Sequence, residues 1–194
     1  MDGQKQQGGV AMTTIDRMIE KLTYSGLGAS YSEKGKRNPV RDDTQNLLTV
    51  ATAIARPARI LELGTAFGLS GLCLLRGAPE AELTTIEFGA DVAEQAKQNF
   101  AEAGVNTKVI TGDAGEAIKT LDGRFDVVFI DHEKKSYLPH FLTLLENGTI
   151  GEGTLILADN VIDRRAECDD FMKYMEALPS TTIQTECGLL VYKI

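Results

Sequence analysis

From residue 58 onward the chain repeats one pattern: a short apolar run, a turn rich in glycine or aspartate, then an amphipathic helix. The apolar runs cover 58–63, 82–87, 107–111, 125–130 and 154–158, with helical stripes near 69–76, 91–103, 114–121, 137–146 and 165–177. Short apolar strands alternating with helices form βαβ units, which predicts an α/β fold with a mostly parallel sheet. Residues 181–193 break the alternation. Two β-rich runs meet there at Cys187-Gly188, so the sheet is expected to end in an antiparallel hairpin.

Upstream, Thr13-Thr14 precede Ile15, Met18, Ile19 and Leu22 at helical spacing, and Asp42-Asp43 cap a second helix through Ile54 that stops before Pro57. Residues 1–11 are Gln/Gly-rich without periodicity and read as a disordered segment. Residues 25–41 read as a loop, and 12–194 as a single domain. The basic stretch Lys34-Gly-Lys36-Arg37-Asn-Pro-Val-Arg41 has two readings: a solvated loop before a helix, or a lid over an anionic or phenolate ligand.

A net charge of −8 disfavours a broad nucleic-acid surface, which needs clustered Lys and Arg. No apolar run approaches the roughly 18 residues a membrane helix needs, and the first residues lack the apolar core of a secretory leader. The cysteines (Cys73, Cys168, Cys187) are odd in number and lack CxxC spacing. Free thiols in a reducing, cytoplasmic compartment are therefore expected. With only His132 and His140 available, a zinc site is unsupported.

In an open α/β sheet the carboxyl ends of the strands face the ligand crevice. The run 125–130 leads into Asp131-His132-Glu133-Lys134, and 154–158 into Asp159-Asn160. Two carboxylates and an amide oxygen at neighbouring strand tips make a hard-oxygen cluster suited to Mg²⁺, which takes few protein ligands and keeps its waters. Each alone also reads as a cap or turn residue; together, beside a nucleotide-type pocket, they favour the metal. Lys134 stands near that cluster as a base, and His132 reads as a hydrogen-bonding wall residue, since Asp131 takes the inward position.

The first strand runs into Glu62-Leu-Gly64-Thr-Ala-Phe-Gly68-Leu-Ser70-Gly71. Glycines here let the backbone pass close to a ligand, and the next helix presents free N–H groups. The spacing lacks the close first pair of a dinucleotide GxGxxG motif, which counts against pyrophosphate. Glu62 suits the cationic part of a ligand such as an amino acid moiety. Glu87 ends the second strand, where a carboxylate can accept both ribose hydroxyls of an adenosine, in NAD and S-adenosylmethionine alike. Gly112-Asp113-Ala114 ends the third; Asp113 reads both as a helix N-cap and as a contact to the adenine amine.

The segments Asp131-His-Glu-Lys134-Lys-Ser-Tyr137-Leu-Pro139 and Gly153-Thr-Leu-Ile-Leu-Ala-Asp159-Asn160-Val closely resemble the catechol O-methyltransferases. The wider group of cation-dependent O-methyltransferases, including the caffeoyl-CoA type, is also similar. The resemblance spans about residues 40–193. It implies a class I methyltransferase, Rossmann-like fold: a seven-stranded, mostly parallel sheet with an antiparallel C-terminal strand and helices on both faces. It further implies S-adenosylmethionine and Mg²⁺ (or Mn²⁺ or Ca²⁺) as cofactors and a small phenolic substrate. By position, Asp131, Asp159 and Asn160 match metal ligands and Lys134 the base. Glu87 matches the ribose acid, Glu62, Gly64, Gly68 and Ser70 the methionine-side motif, His132 a residue beside the adenosine and Gly112 through Ala114 the adenine-side turn, with Asp131 also among the cofactor-binding residues.

The chain departs from the animal catechol enzymes at Glu133, where they carry a bulky aromatic; cofactor stacking is then either weaker or supplied by Phe88. It has no Trp for their gatekeeping wall, and its short C-terminal hairpin leaves no clear counterpart for the carboxylate that contacts the second hydroxyl; Glu186 reads first as an exposed strand residue and only second as that contact. The leading expectation is a methyl transfer to one hydroxyl of a vicinal diphenol by a monomer or homodimer. A tRNA hydroxyuridine O-methyltransferase, an NAD-dependent oxidoreductase and a binding-only protein are the alternatives.

Overall fold

The computed structural model of the chain describes residues 12–24, 40–105 and 107–194. The disorder expected for 1–11, and most of the 25–41 loop with Lys34, Lys36 and Arg37, lie outside the described residues. Helices α1 (Thr14–Tyr24) and α2 (Asp42–Ala55) precede the alternating part. There follow β1 (Arg59–Leu63), α3 (Leu69–Gly77), β2 (Glu82–Glu87), α4 (Ala90–Ala103), β3 (Thr107–Thr111) and α5 (Ala114–Ala117). The second half carries β4 (Val127–Ile130), α6 (Tyr137–Glu146), β5 (Leu155–Ala158), α7 (Asp169–Glu176), β6 (Thr181–Ile183) and β7 (Leu189–Lys193).

The strands form one sheet of seven in the order β3-β2-β1-β4-β5-β7-β6. The pairs among β1 to β5 are parallel, and β7 runs antiparallel to both β5 and β6. Mostly parallel pairing and the closing hairpin agree with the sequence expectation. Two expected helices are shorter. The stretch 114–121 keeps one α turn and then tightens to a 3-10 turn at Ile118–Thr120, where the Thr120 hydroxyl donates back to the Ala117 carbonyl at 2.9 Å. The stretch 165–177 divides into a 3-10 turn (Arg165–Glu167) and α7, with Cys168 at φ −120° between them.

Strand parity splits the core in two. Ile60, Phe129, Leu157 and Leu189 pack on the face covered by α1 to α4, with Leu48, Leu72 and Phe100. Leu61, Leu63, Val128, Ile130, Ile156 and Leu190 pack on the other, against Phe141 and Phe171 of α6 and α7. Both faces of the central strands are thus buried, which is why their sequences read as continuous apolar runs. Among the described residues no helix is long and apolar enough to cross a membrane.

The strand order reverses between β1 and β4, and a crevice opens at the carboxyl ends of strands at such a point. Gly64 follows β1 with φ +100°; a Cβ there would lie 2.4 Å from the main-chain oxygen of Asp131, which follows β4. Only glycine lets these two strand ends approach so closely.

Candidate active site

The turn after β1 is held from beneath. By parity with Ile60, Glu62 points under α3 and is wholly buried. Its Oε1 accepts from the Ser70 hydroxyl and its Oε2 from Thr85, each at 2.6 Å. Burial pushes the carboxyl up to about 7; the two hydroxyls oppose the rise, and the charges of Asp131 and Glu87 add to it. Asn99 donates to the Phe67 carbonyl at 2.9 Å, and the Phe100 ring lies 2.8 Å from where a Gly68 Cβ would sit, so α4 braces the same turn.

Glu87, at the tip of β2, is buried and accepts from the backbone N–H groups of Ala66 (3.0 Å) and Gly89 (2.9 Å). It thereby joins the glycine turn to the entrance of α4. Phe88, the next residue, is 74% exposed at the rim. Gly112 continues the β2–β3 pairing by donating to the Glu87 carbonyl at 2.9 Å, and Asp113 Oδ1 caps α5 by accepting from Glu116 N at 3.0 Å. The N-cap role of Asp113 is therefore the contact seen; Ala114 begins the helix behind it.

Across the switch point, β4 and β5 are in register at Ile130 and Ala158, so Asp131 and Asp159 follow paired residues. Lys134, buried on a 3-10 turn, places Nζ 2.7 Å from Asp131 Oδ1 and 2.7 Å from the Tyr137 hydroxyl. That hydroxyl donates in turn to the Asp159 carbonyl at 3.0 Å. Asp159 is 2% exposed and its Oδ1 has no hydrogen-bond partner. Burial, then the charge of Asp131, raises its carboxyl to about 7. Burial raises Asp131 as well, against the opposing charge of Lys134. Asn160 takes φ +62°, a left-handed conformation that Asn tolerates better than most residues. Among the described residues no three His, Cys, Asp or Glu side chains converge as a metal cage; the tips offer two carboxylates with an amide.

His132 lies behind Asp131, its Nε2 2.7 Å from Nδ1 of His140 on α6. Glu133 pairs with Lys135 at 3.0 Å in solvent, and Glu186 pairs with Arg41 at 3.3 Å on the exposed rim. The candidate residues thus gather in two groups: Glu62, Gly64, Gly68, Ser70 and Glu87 around the first turn, and Asp131, Lys134, Asp159 and Asn160 at the tips of β4 and β5. Two participants are given no role by the sequence: Tyr137, although it lies within the 131–139 motif, and His140. The signal for Tyr137 was its place one 3-10 turn beyond Lys134; for His140 it was only a helical offset from His132.

Comparison with known proteins gives a consistent picture. A family model described as O-methyltransferase matches residues 18–178. A probable O-methyltransferase of Mycobacterium tuberculosis is 38% identical over 183 residues, covering 88% of this chain and 75% of that protein. The catechol O-methyltransferase of Bos taurus is 37% identical over 142 residues, covering 62% of this chain and 52% of its own length. The chain therefore spans about half the length of that bovine relative. Among solved structures, the O-methyltransferase TomG from Streptomyces achromogenes, in complex with SAM and involved in tomaymycin synthesis, superposes with a TM-score of 0.79 at 26% identity over 92% of this chain and 90% of that one.

Proposed function

The chain belongs to the O-methyltransferase family, and we propose that it moves the methyl group of S-adenosylmethionine to one hydroxyl of a catechol-like vicinal diphenol, with a divalent cation at the tips of β4 and β5. Magnesium is the first choice, with manganese or calcium as substitutes of the same hard-oxygen chemistry. The observation that carries the reading is the buried, partnerless Asp159 Oδ1 beside a second desolvated carboxylate on Asp131. Negative charge so placed is costly without a cation, and one ammonium offsets only part of it. The donor set therefore fits a hard divalent ion held by Asp131, Asp159 and Asn160.

Such an ion would supply Lewis acidity at the acceptor end of the crevice. S-adenosylmethionine supplies the methyl group on its sulfonium. The chain's own residues do the rest. Glu87, anchored by two backbone N–H groups, presents a carboxylate to the ribose hydroxyls. Glu62 holds the Ser70 hydroxyl and, with Gly64 and Gly68, shapes the turn for the methionine part. Exposed Phe88 and the wall formed by His132 and Ala114 flank the adenine. Lys134 Nζ takes the proton of the hydroxyl to be methylated, a role that requires the neutral amine. Asp131 and the Tyr137 hydroxyl, each 2.7 Å from Nζ, hold it at the tips of β4 and β5. Holding acceptor and donor in line can lower a barrier by about 7–11 kcal/mol in favourable cases.

An acceptor screen tests the reading. With labelled S-adenosylmethionine, catechol and other vicinal diphenols should be methylated once, and monophenols and unmodified tRNA should not. Methylation of tRNA with diphenols inert would overturn the acceptor class. The bovine relative supports a diphenol by its name.

A further inference from the structure

Over the turn that ends β3, two polar groups from different elements face one spot. A Cβ on Gly115 would lie 2.9 Å from His140 Nε2 and 3.1 Å from Asp113 Oδ1. The missing side chain leaves the ring edge and the carboxylate side by side, and neither Ala114 nor Gly115 brings a polar side chain of its own.

The hydrogen positions follow from the surroundings. His132 Nε2 and His140 Nδ1, 2.7 Å apart, have room for a single hydrogen between them. His132 Nδ1 is buried with no partner. A buried N–H without an acceptor is rarer and costlier than an unused lone pair, so His132 is protonated on Nε2 and donates to His140. The proton of His140 is left on Nε2, above Gly115, where the Asp113 carboxylate also favours it. A donor beside an acceptor complements the edge of adenine, which offers a ring-nitrogen acceptor next to its exocyclic amine.

We propose that His140, oriented by His132, reads the adenine of S-adenosylmethionine together with Asp113 and sets a preference for adenosine over inosine cofactors. This rests on the cofactor reading above and adds to it a specificity residue on α6. Hypoxanthine puts a carbonyl where adenine has its amine and a hydrogen on the neighbouring N1, so Asp113 would meet it acceptor to acceptor and His140 donor to donor.

Calorimetric titration with S-adenosylhomocysteine and S-inosylhomocysteine tests the pair in the native chain, His140→Phe and His140→Gln. The native chain should bind the adenosyl compound at least about tenfold tighter. His140→Phe should lose about tenfold for that compound alone, shrinking the preference, and His140→Gln, with an amide N–H to offer, should recover part of it. Nitrogen-15 NMR of the native chain should find His132 and His140 each protonated on Nε2; a proton on His132 Nδ1 would overturn the donor assignment. Undiminished adenosyl binding and preference in His140→Phe would overturn the pair and leave the cofactor reading standing. No adenosyl binding by the native chain would overturn both.

Discussion

The Tyr137 hydroxyl donates to the main-chain carbonyl of Asp159 at 3.0 Å while accepting from Lys134 Nζ at 2.7 Å. One side chain at the start of α6 thereby ties the tip of β5 to the residue expected to act as base. Tyr137→Phe keeps the ring and its edge-on contact with Phe171 but removes that tie. Turnover should fall about tenfold, because Lys134 loses one of two fixed partners, with affinity for S-adenosylhomocysteine within about twofold. Paired measurements of kcat and of ligand Kd check this.

Lys134→Ala should lower kcat by about 10²–10⁴, the usual range for a positioned general base, while leaving S-adenosylhomocysteine affinity nearly intact. Loss of ligand binding with preserved turnover of bound substrate would give Lys134 a structural role instead.

Glu62 predicts a pH dependence of stability. Its folded-state value of about 7 lies above the ordinary carboxyl value of 4.5, so in that window the native state binds the extra proton. Stability is then greatest below about pH 4.5, declines as pH rises to about 7 and is flat beyond. The cost accumulated by pH 8 is about 3 kcal/mol, at roughly 1.4 kcal/mol per unit. Glu62→Gln has no proton to lose and should flatten this part of the curve, which urea unfolding from pH 5 to 8 measures. An unchanged slope would mean that Glu62 is ionised throughout.

Gly64→Ala should destabilise by about 3 kcal/mol or more, since it combines a left-handed φ with a Cβ driven 2.4 Å from the Asp131 carbonyl oxygen. Gly148→Ala shares the positive φ (+74°) but meets nothing within 4 Å, so it should cost only about 1–2 kcal/mol. The difference between the two, read from denaturant midpoints, isolates the close approach of β1 and β4.

Much of this was legible in the sequence because each central strand is buried on both faces and so announces itself as an apolar run ending in a polar residue. Asp131, Asp159 and Glu87 stood out for that reason. Direction was less legible. Glu62 reads as a ligand contact from its place in the glycine motif, yet parity with Ile60 turns it beneath α3 to Ser70 and Thr85. Tyr137 and His140 act through contacts made across a helix, and their spacing is equally that of core and surface positions. The shortened α5 and α7 reflect local hydrogen bonds at Thr120 and a break at Cys168 that periodicity does not register.

The most direct test of the central claim is methyl transfer to catechol by metal-stripped protein, measured with labelled S-adenosylmethionine before and after Mg²⁺ is restored. The account predicts negligible transfer in EDTA and recovery on adding Mg²⁺, with Asp159→Asn recovering far less. Equal rates with and without the cation, in protein verified free of metal, would contradict it.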